Sequence, residues 1–422
     1  MTGRAPVRYS DLPRSYHRWK WRILLAFCGF YLFLYLGRFV FWPVAPLVKQ
    51  ELMLSHIEIG LINAALLWGF MLGDVVHGRL AETYGLRLWV LLGAVLTTAF
   101  NWVTSFGNSA VTLAIPWALA GFTNAACFPP GASMISQWWP RRDRGMAFGV
   151  LLTAAGGAML LVWWIAGWVG AEFGWRAAFR FPPLIIVVLG AVFYLVTRDR
   201  PSDVGLPDYM EEDEVSAGPE ALASERFQGL GPYKLLLSNP RFQLACHVKG
   251  LENVVKHGLM TWVPIYYFEK GGLTIESTLL LTVFLPLGYL LAPPLAGIIS
   301  DRLLHGARRP MVIASCGVSA ATLAAIAFAP PVNVSLGAAL LLTGGLAIGI
   351  SPMVTIAADL GGRHMAGTSS GLLDAHGYFY AGLQAVIFSV LLDAAGSPWP
   401  VVFLAMAGTR LLSAGMISAV KV

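Results

Sequence analysis

Apolar runs of twenty or more residues, separated by short polar stretches, recur along the chain from about residue 22 to residue 420. Each is long enough to cross a hydrocarbon layer of roughly 30 Å as an α-helix, which takes about 20 residues. The pattern predicts twelve spans: 22–47, 57–81, 86–107, 110–136, 145–169, 175–196, 240–268, 276–300, 310–329, 333–358, 367–393 and 397–420. Between the sixth and seventh the chain changes character. "RDRPSDVGLPDYMEEDEVSAGPEALASERFQGLGPYK" is polar, acidic and rich in Gly and Pro, and reads as a linker with little stable structure of its own. The expected organisation is an all-α integral membrane protein of two six-helix bundles, at 1–196 and 240–422, joined by a cytoplasmic linker at 197–239.

Composition agrees. Hydrophobic residues make up 57% of the 422 positions and charged residues only 12%, half of what a soluble domain carries. The basic residues are sorted by side. Arg79 and Arg87, then Arg141, Arg142 and Arg144, then Arg302, Arg308 and Arg309 fall in alternate loops. The opposite loops are short and poor in Lys and Arg apart from Arg176 and Arg180. The bias puts both termini in the cytoplasm of a multi-pass protein of the inner (plasma) membrane. The surplus of +6 is then a topology signal, and nucleic acid is not an expected partner. "MTGRAPVRYSDLPRSYHRWKWR" has no signal-peptide pattern. Cys28, Cys127, Cys246 and Cys316 fall in four different spans without paired spacing, so neither a disulfide nor a metal is expected.

The halves echo each other. "GRLAETYGLR" and "GIISDRLLHGARR" share a Gly, three residues, an acid, then a turn and basic residues. Gly78, Glu82 and Arg87 in the first, with Gly297, Asp301 and Arg302 in the second, form a repeated motif expected to serve conformational change. The offset between Gly78 and Gly297 is 219, and 218 residues beyond Arg38 in span one lies Lys256 in span seven. A repeated bundle would set these two cations at related positions across a central axis, where transporters built from repeats hold their substrates.

A charge within a span costs ~2.5–3.5 kcal/mol on insertion scales and needs a reason. Helical spacing puts Tyr31, Tyr35 and Arg38 on one stripe, two phenols and a guanidinium offering donors to an anion. The bland alternatives are tyrosines packing between helices and an arginine in a buried ion pair. In span seven Lys249, Glu252 and Lys256 share a face, with Asn253 within reach. Glu252 either neutralises a lysine or takes part in coupling. Lys256 lies deeper and is the substrate candidate, and His257 reads as a satisfied packing histidine. Asp74 lies deep in span two, where a buried carboxylate takes up a proton or finds a cation. His77 either joins it or braces the loop beside Gly78. In span eleven Asp374 and Tyr378 are four apart and face inward together, while His376 sits about 200° around from Asp374. Arg38 and Lys256 balance Asp74 and Asp374. A dianion would therefore meet no net attraction unless a carboxylate is protonated or the ligand brings its own ammonium group.

Five segments in order carry a resemblance: "YHRWKWRILLAFCGFYLFLYLGRFVF", "FPPGASMISQWWPRRDRG", "RDRPSDVGLP", "GLMTWVPIYY" and "AGTSSGLLDAHGYFYAG". The chain resembles the organophosphate:phosphate antiporter family of the major facilitator superfamily over nearly its whole length. The resemblance implies that Arg38 is one half of a phosphate clamp and that Lys256 stands where the second clamp arginine would be. It implies that Tyr31, Tyr35 and Tyr378 are hydrogen-bonding tyrosines. The chain departs from the family at two places: the span-two lysine falls at Asp74, and the span-five histidine falls near Thr153. Lysine at 256 also lacks the bidentate fork that suits a phosphate.

The expected function is secondary active transport, by alternating access at one central site, of a small organic anion. It is phosphate- or phosphonate-like, and zwitterionic if Asp74 holds an ammonium. Arg38, Lys256, Tyr31, Tyr35, Tyr378 and Asn253 bind it, and Asp74, Asp374 and Glu252 serve coupling or an ammonium group. The expected partners are that solute, the lipid bilayer and a counter-substrate, phosphate or protons, with the protein a monomer. No ATP-binding motif of the G-x-x-x-x-G-K-[ST] type occurs, so a gradient is the expected driving force. No cofactor is expected, and no nucleophile–base spacing points to an enzyme. The alternatives are a proton-coupled symporter of an organic carboxylate and a membrane sensor that binds such an anion without moving it.

Overall fold

A computed structural model of the chain describes residues 12–139, 141–207, 231–302, 308–351, 353–394 and 398–419. Every regular element among them is helical. The N-terminal helices are α1 (Arg14–Leu34), α2 (Phe41–Glu51), α3 (His56–Tyr84), α4 (Leu86–Thr104), α5 (Ala110–Asn124), α6 (Phe128–Trp138), α7 (Arg141–Phe173), α8 (Trp175–Arg180) and α9 (Leu184–Val196). After the linker come α10 (Gly231–Leu237), α11 (Pro240–Gly271), α12 (Ile275–Thr282), α13 (Phe284–Arg302), α14 (Arg308–Phe328), α15 (Val334–Gly349), α16 (Met353–Ala394) and α17 (Trp399–Ala419).

Ten stretches of the described residues are long and apolar enough to cross a membrane. The other two of the twelve spans are recognisable for opposite reasons. α11 is 32 residues long but carries Lys249, Glu252 and Lys256 inside it, and α15 is apolar but has only 16 residues.

Several boundaries differ from expectation, and spans four, six and eight, like span one, are each two helices. Span one is two helices with a break at Arg38. Span ten stops at Gly349, and 353–358 belong instead to the long α16. The linker has ordered ends, a 3-10 turn at Pro201–Val204 and α10, while 208–230 lie outside the described residues. The first of these ends has a purpose. Asp199 accepts from the backbone N–H groups of Leu86 and Arg87, each at 3.1 Å, capping α4, and from Arg87 Nε at 3.2 Å. A carboxylate at a helix N-terminus satisfies free N–H groups and meets the positive end of the helix dipole. Arg87 of the repeated motif is thus tied to the end of the first bundle. The side chains of Gly78, Glu82, Gly297, Asp301 and Arg302 lie outside the described residues.

The bundles meet along α3 with α16, α7 with α13, and α2 with α11. At the end where α2 turns into α3 they are joined by ions. Lys49 Nζ donates to Glu269 Oε1 at 2.7 Å. His56 places Nε2 3.2 Å from Glu269 Oε2 and Nδ1 2.7 Å from Asp393 Oδ1. Only the imidazolium can donate to both carboxylates at once. Asp393 also accepts from the backbone N–H of His56 (3.2 Å) and of Ile57 (2.9 Å), so a carboxylate of the second bundle caps a helix of the first. Just inside, Asn63 accepts from Trp42 Nε1 at 3.1 Å and donates to Thr261 at 2.9 Å, with all three residues fully buried.

Candidate functional site

The site begins with the break in span one. Residues Tyr35–Gly37 tighten to a 3-10 turn, where Arg38 N donates to Tyr35 O at 3.1 Å. Carbonyls near such a break need partners, because no water reaches them in the hydrocarbon layer. Two asparagines of the first bundle supply them: Asn101 Nδ2 donates to Gly37 O at 2.9 Å, and Asn124 Nδ2 to Leu34 O at 3.4 Å. Gly37 is required by space, since a Cβ there would lie 2.6 Å from Thr97 Cγ2 and 2.8 Å from Ile186 Cδ1. Replacing Asn101 by leucine is expected to cost about 1–3 kcal/mol by leaving the Gly37 carbonyl unpaired. A lowered melting temperature, with weaker anion binding because Arg38 is no longer anchored, is the measurable result.

Arg38 emerges from this break only 4% exposed. Its guanidinium has no hydrogen bond or carboxylate partner among the described residues, and Nε is fully enclosed. It lies instead among aromatic faces, 4.5 Å from the ring of Tyr35, 4.3 Å from Phe39, 4.2 Å from Phe70 and 5.9 Å from Tyr378. Ring faces attract a cation without neutralising it. The charge therefore stays available. Tyr31 stacks edge-on against Tyr35 at 5.5 Å and packs on Phe128, completing the stripe.

Lys256 is the second available cation. It is half-buried, its Nζ lies 4.8 Å from the ring centre of Tyr289, and it has no carboxylate within ion-pair distance among the described residues. The charges of Lys256 and Arg38 act on each other, so the two, one from each bundle, face the same interior region. Lys249 is different: its Nζ meets Glu252 Oε1 at 2.9 Å.

Asp74 and Asp374 are brought within electrostatic range of each other and of Arg38, again one from each bundle. Neither makes an ion pair among the described residues. Tyr378, one turn along α16 from Asp374, packs on Phe70 at 4.7 Å. Asn253 does not turn squarely to the cations: its amide lies against Gly377 of α16, where any Cβ would strike it. His77 Nε2 donates to Phe122 O (3.0 Å) and Nδ1 accepts from Trp89 Nε1 (3.3 Å), so it braces three helices. His376 Nδ1 bonds its own helix at Leu372 O, 2.8 Å. His257 packs between Phe39, Trp42 and Tyr378, but both its ring nitrogens are unpartnered, so the expectation of a satisfied histidine is corrected.

Phe70, Tyr289, Asn101 and Arg410 were not singled out from the sequence. Arg410, a lone charge in "FLAMAGTRLLSAGM", carries the same signal as Arg38. The others are ordinary members of apolar spans and have no local mark.

The chain is similar to several bacterial membrane proteins. It is 26% identical to the membrane sensor protein UhpC of Salmonella typhimurium, over 89% of this chain and 86% of that protein. It is 25% identical to a probable hexose phosphate transport protein of Chlamydia pneumoniae, over 93% and 89% of the two chains. Its fold matches a bacterial homolog of the human lysosomal transporter Spinster, crystallised inward-facing and unoccupied, with a TM-score of 0.74, 14% identity, and coverage of 94% and 96%. The family model of the Major Facilitator Superfamily matches residues 27–385, reaching into both bundles and including Arg38, Asp74, Lys249, Glu252, Lys256 and Asp374. The chain belongs to the Major Facilitator Superfamily.

Proposed function

We propose that this protein is a secondary transporter of a small organic anion with a phosphate- or phosphonate-like head and an ammonium group. In this reading Arg38 and Lys256 hold the head, Tyr35 and Tyr378 line it, and Asp74 with Asp374 receives the ammonium. The observation that carries the reading is a guanidinium buried to 4% exposure with no hydrogen-bond or ion-pair partner among the described residues. Burying an unpaired charge is too costly to persist for packing alone. An anionic guest supplies the missing partner, and a guanidinium suits a tetrahedral oxyanion. Similarity to a probable hexose phosphate transport protein supports the choice of head.

The guest then bridges the bundles, which rock about it to expose it to one side at a time. Both termini are assigned to the cytoplasm from the arginine bias, and the ion-paired end then faces outward. One observation favours a second reading. The two unpaired carboxylates, Asp74 and Asp374, sense each other across the bundle seam, and a shared proton would also relieve that repulsion. That would make the protein a proton-coupled carrier of a plain anion, such as a carboxylate.

A thermal-shift screen of phosphates, phosphonates, amino-phosphonates and carboxylates separates these. A true ligand at a hundred times its Kd adds about 2.7 kcal/mol to folded-state stability. Amino-phosphonates should give the largest shifts. Stabilisation by simple carboxylates that strengthens on acidification would favour proton coupling, and stabilisation by neutral solutes alone would refute the anion site. Flux of the labelled hit into proteoliposomes distinguishes carrier from sensor.

A further inference from the structure

The ionic end of the bundle seam turns on a single imidazole. His56, the first residue of α3, is buried to 7% exposure. Its two ring nitrogens reach two carboxylates of the second bundle: Nε2 lies 3.2 Å from Glu269 of α11, and Nδ1 lies 2.7 Å from Asp393 of α16. The buried indoles of Trp262 on α11 and Trp399 on α17 flank the ring, with centres 6.4 and 5.8 Å away. Lys49 of α2 meets the same Glu269 carboxylate at 2.7 Å. The remaining acids nearby on the first bundle are engaged elsewhere. Glu58 of α3 accepts from the N–H and hydroxyl of Ser55, at 2.9 and 3.0 Å, and Glu51 of α2 accepts from Trp175 and Arg176.

Two carboxylates therefore stand against Lys49 and the imidazole. With the ring protonated the four groups balance, and both nitrogens donate. With the ring neutral, one nitrogen turns a lone pair toward a carboxylate oxygen and one negative charge is left over. The loss falls on Glu269. Asp393 has the shorter contact to the ring and also accepts from the backbone N–H groups of His56 and Ile57, so the remaining proton belongs at Nδ1. Glu269 is then held to the first bundle by Lys49 alone.

We infer that His56 is a proton-operated latch: protonated, it holds this end of the two bundles together, and in its neutral form it lets them part. An end that closes around an imidazolium binds a proton on closing and releases it on opening. By reciprocity, acid favours the closed form and alkali the open one. The helix cap and the pair of Lys49 with Glu269 outlast the proton, so the latch biases the equilibrium and forbids neither form. Losing one hydrogen bond between charged groups should move that equilibrium about tenfold. Alternating access requires this end to open in each cycle, so the pH on this side sets how often it does. The latch does not depend on which guest is carried.

The test accordingly needs no guest. Spin labels are placed on Met53→Cys, in the turn between α2 and α3, and on Val332→Cys, between α14 and α15. Both positions are exposed, and the neighbouring Pro331 places the second label beside the end of α11 at Gly271. The four native cysteines are buried. Distances between the labels are measured by pulsed electron resonance on the full chain in lipid nanodiscs. A short population in acid should give way to a longer one as the pH rises from about 5 to about 8, the range in which imidazoles change charge. The ratio of the two populations should change about tenfold. His56→Gln should show the longer distance at every pH. Glu269→Gln offers Nε2 an amide that can donate as well as accept, so it should stay closed and lose the pH response. An unchanged response in folded His56→Gln would place the proton elsewhere and overturn the inference, as would an unmodified chain whose distances ignore pH. Should His56→Gln fail to fold, Glu269→Gln decides: loss of the response supports the latch, and a full response overturns it.

Discussion

Replacing Arg38 by alanine should reduce anion affinity by at least a hundredfold and stop transport while the protein still folds. The estimate follows from the geometry. A buried charge pair loses about 2–5 kcal/mol when one partner is truncated, because the other is left enclosed and unpaired. Here the guest's anionic head is that other partner, and Lys256 alone would remain to hold it. Folding should survive, because the guanidinium makes no hydrogen bond to the described residues and contributes only ring contacts. Arg38→Lys should recover part of the affinity, since a point charge returns without the planar fork. Calorimetric titration with the best hit of the ligand screen, alongside melting curves, measures both effects. Undiminished affinity in a folded Arg38→Ala protein would remove the basis for the anion site.

The second large effect is expected at Gly60, where α3 crosses α16. A Cβ at this position would strike the backbone oxygen of Ala385 and would lie 2.6 Å from Ser389 Cβ. The contact is one turn from His56 and from Asp393, the residues that tie the bundles together. Leucine at 60 should wedge this end apart. Overpacking of this kind costs about 1–3 kcal/mol, enough to shift a two-state equilibrium roughly five- to 150-fold toward the form in which this end is open. Transport needs both forms, so flux into proteoliposomes should fall to a small fraction. Ligand affinity should change little, because none of the anion-site residues touches Gly60. Gly60→Ala should give an intermediate loss. Flux at the normal rate in the leucine variant would show that this seam does not open in the cycle.

The ionic tie at that end illustrates why much of the molecule was hidden in the sequence. Lys49 and Glu269 are 220 residues apart, and His56 and Asp393 are 337 apart. Nothing in the neighbourhood of either residue announces its partner. The two asparagines that receive the broken first span are similar: Asn101 lies in an apolar helix, and its 2.9 Å bond to Gly37 O, made in the folded protein, explains it. Arg410 is the instructive exception. A lone arginine in an apolar span is as visible as Arg38, and the cost of placing it there is the same. What the sequence could not reveal is that the two differ in kind. Arg38 lies among aromatic rings without a hydrogen bond among the described residues, whereas Arg410 donates to Ser315 inside one bundle.

The sequence by itself determined an all-helical chain with many membrane-spanning segments, and it marked Arg38, Lys256, Asp74 and Asp374 as charges within apolar segments. Those properties follow from local hydropathy and spacing, because transfer from water to lipid is decided residue by residue along each helix. Only the tertiary structure decided which of the deep charges are cancelled and which stay free. It also decided where span one breaks and how one end of the two bundles is held. These depend on distances between side chains on different helices, and electrostatic energy in a low-dielectric interior turns on a few ångströms that no one-dimensional pattern contains.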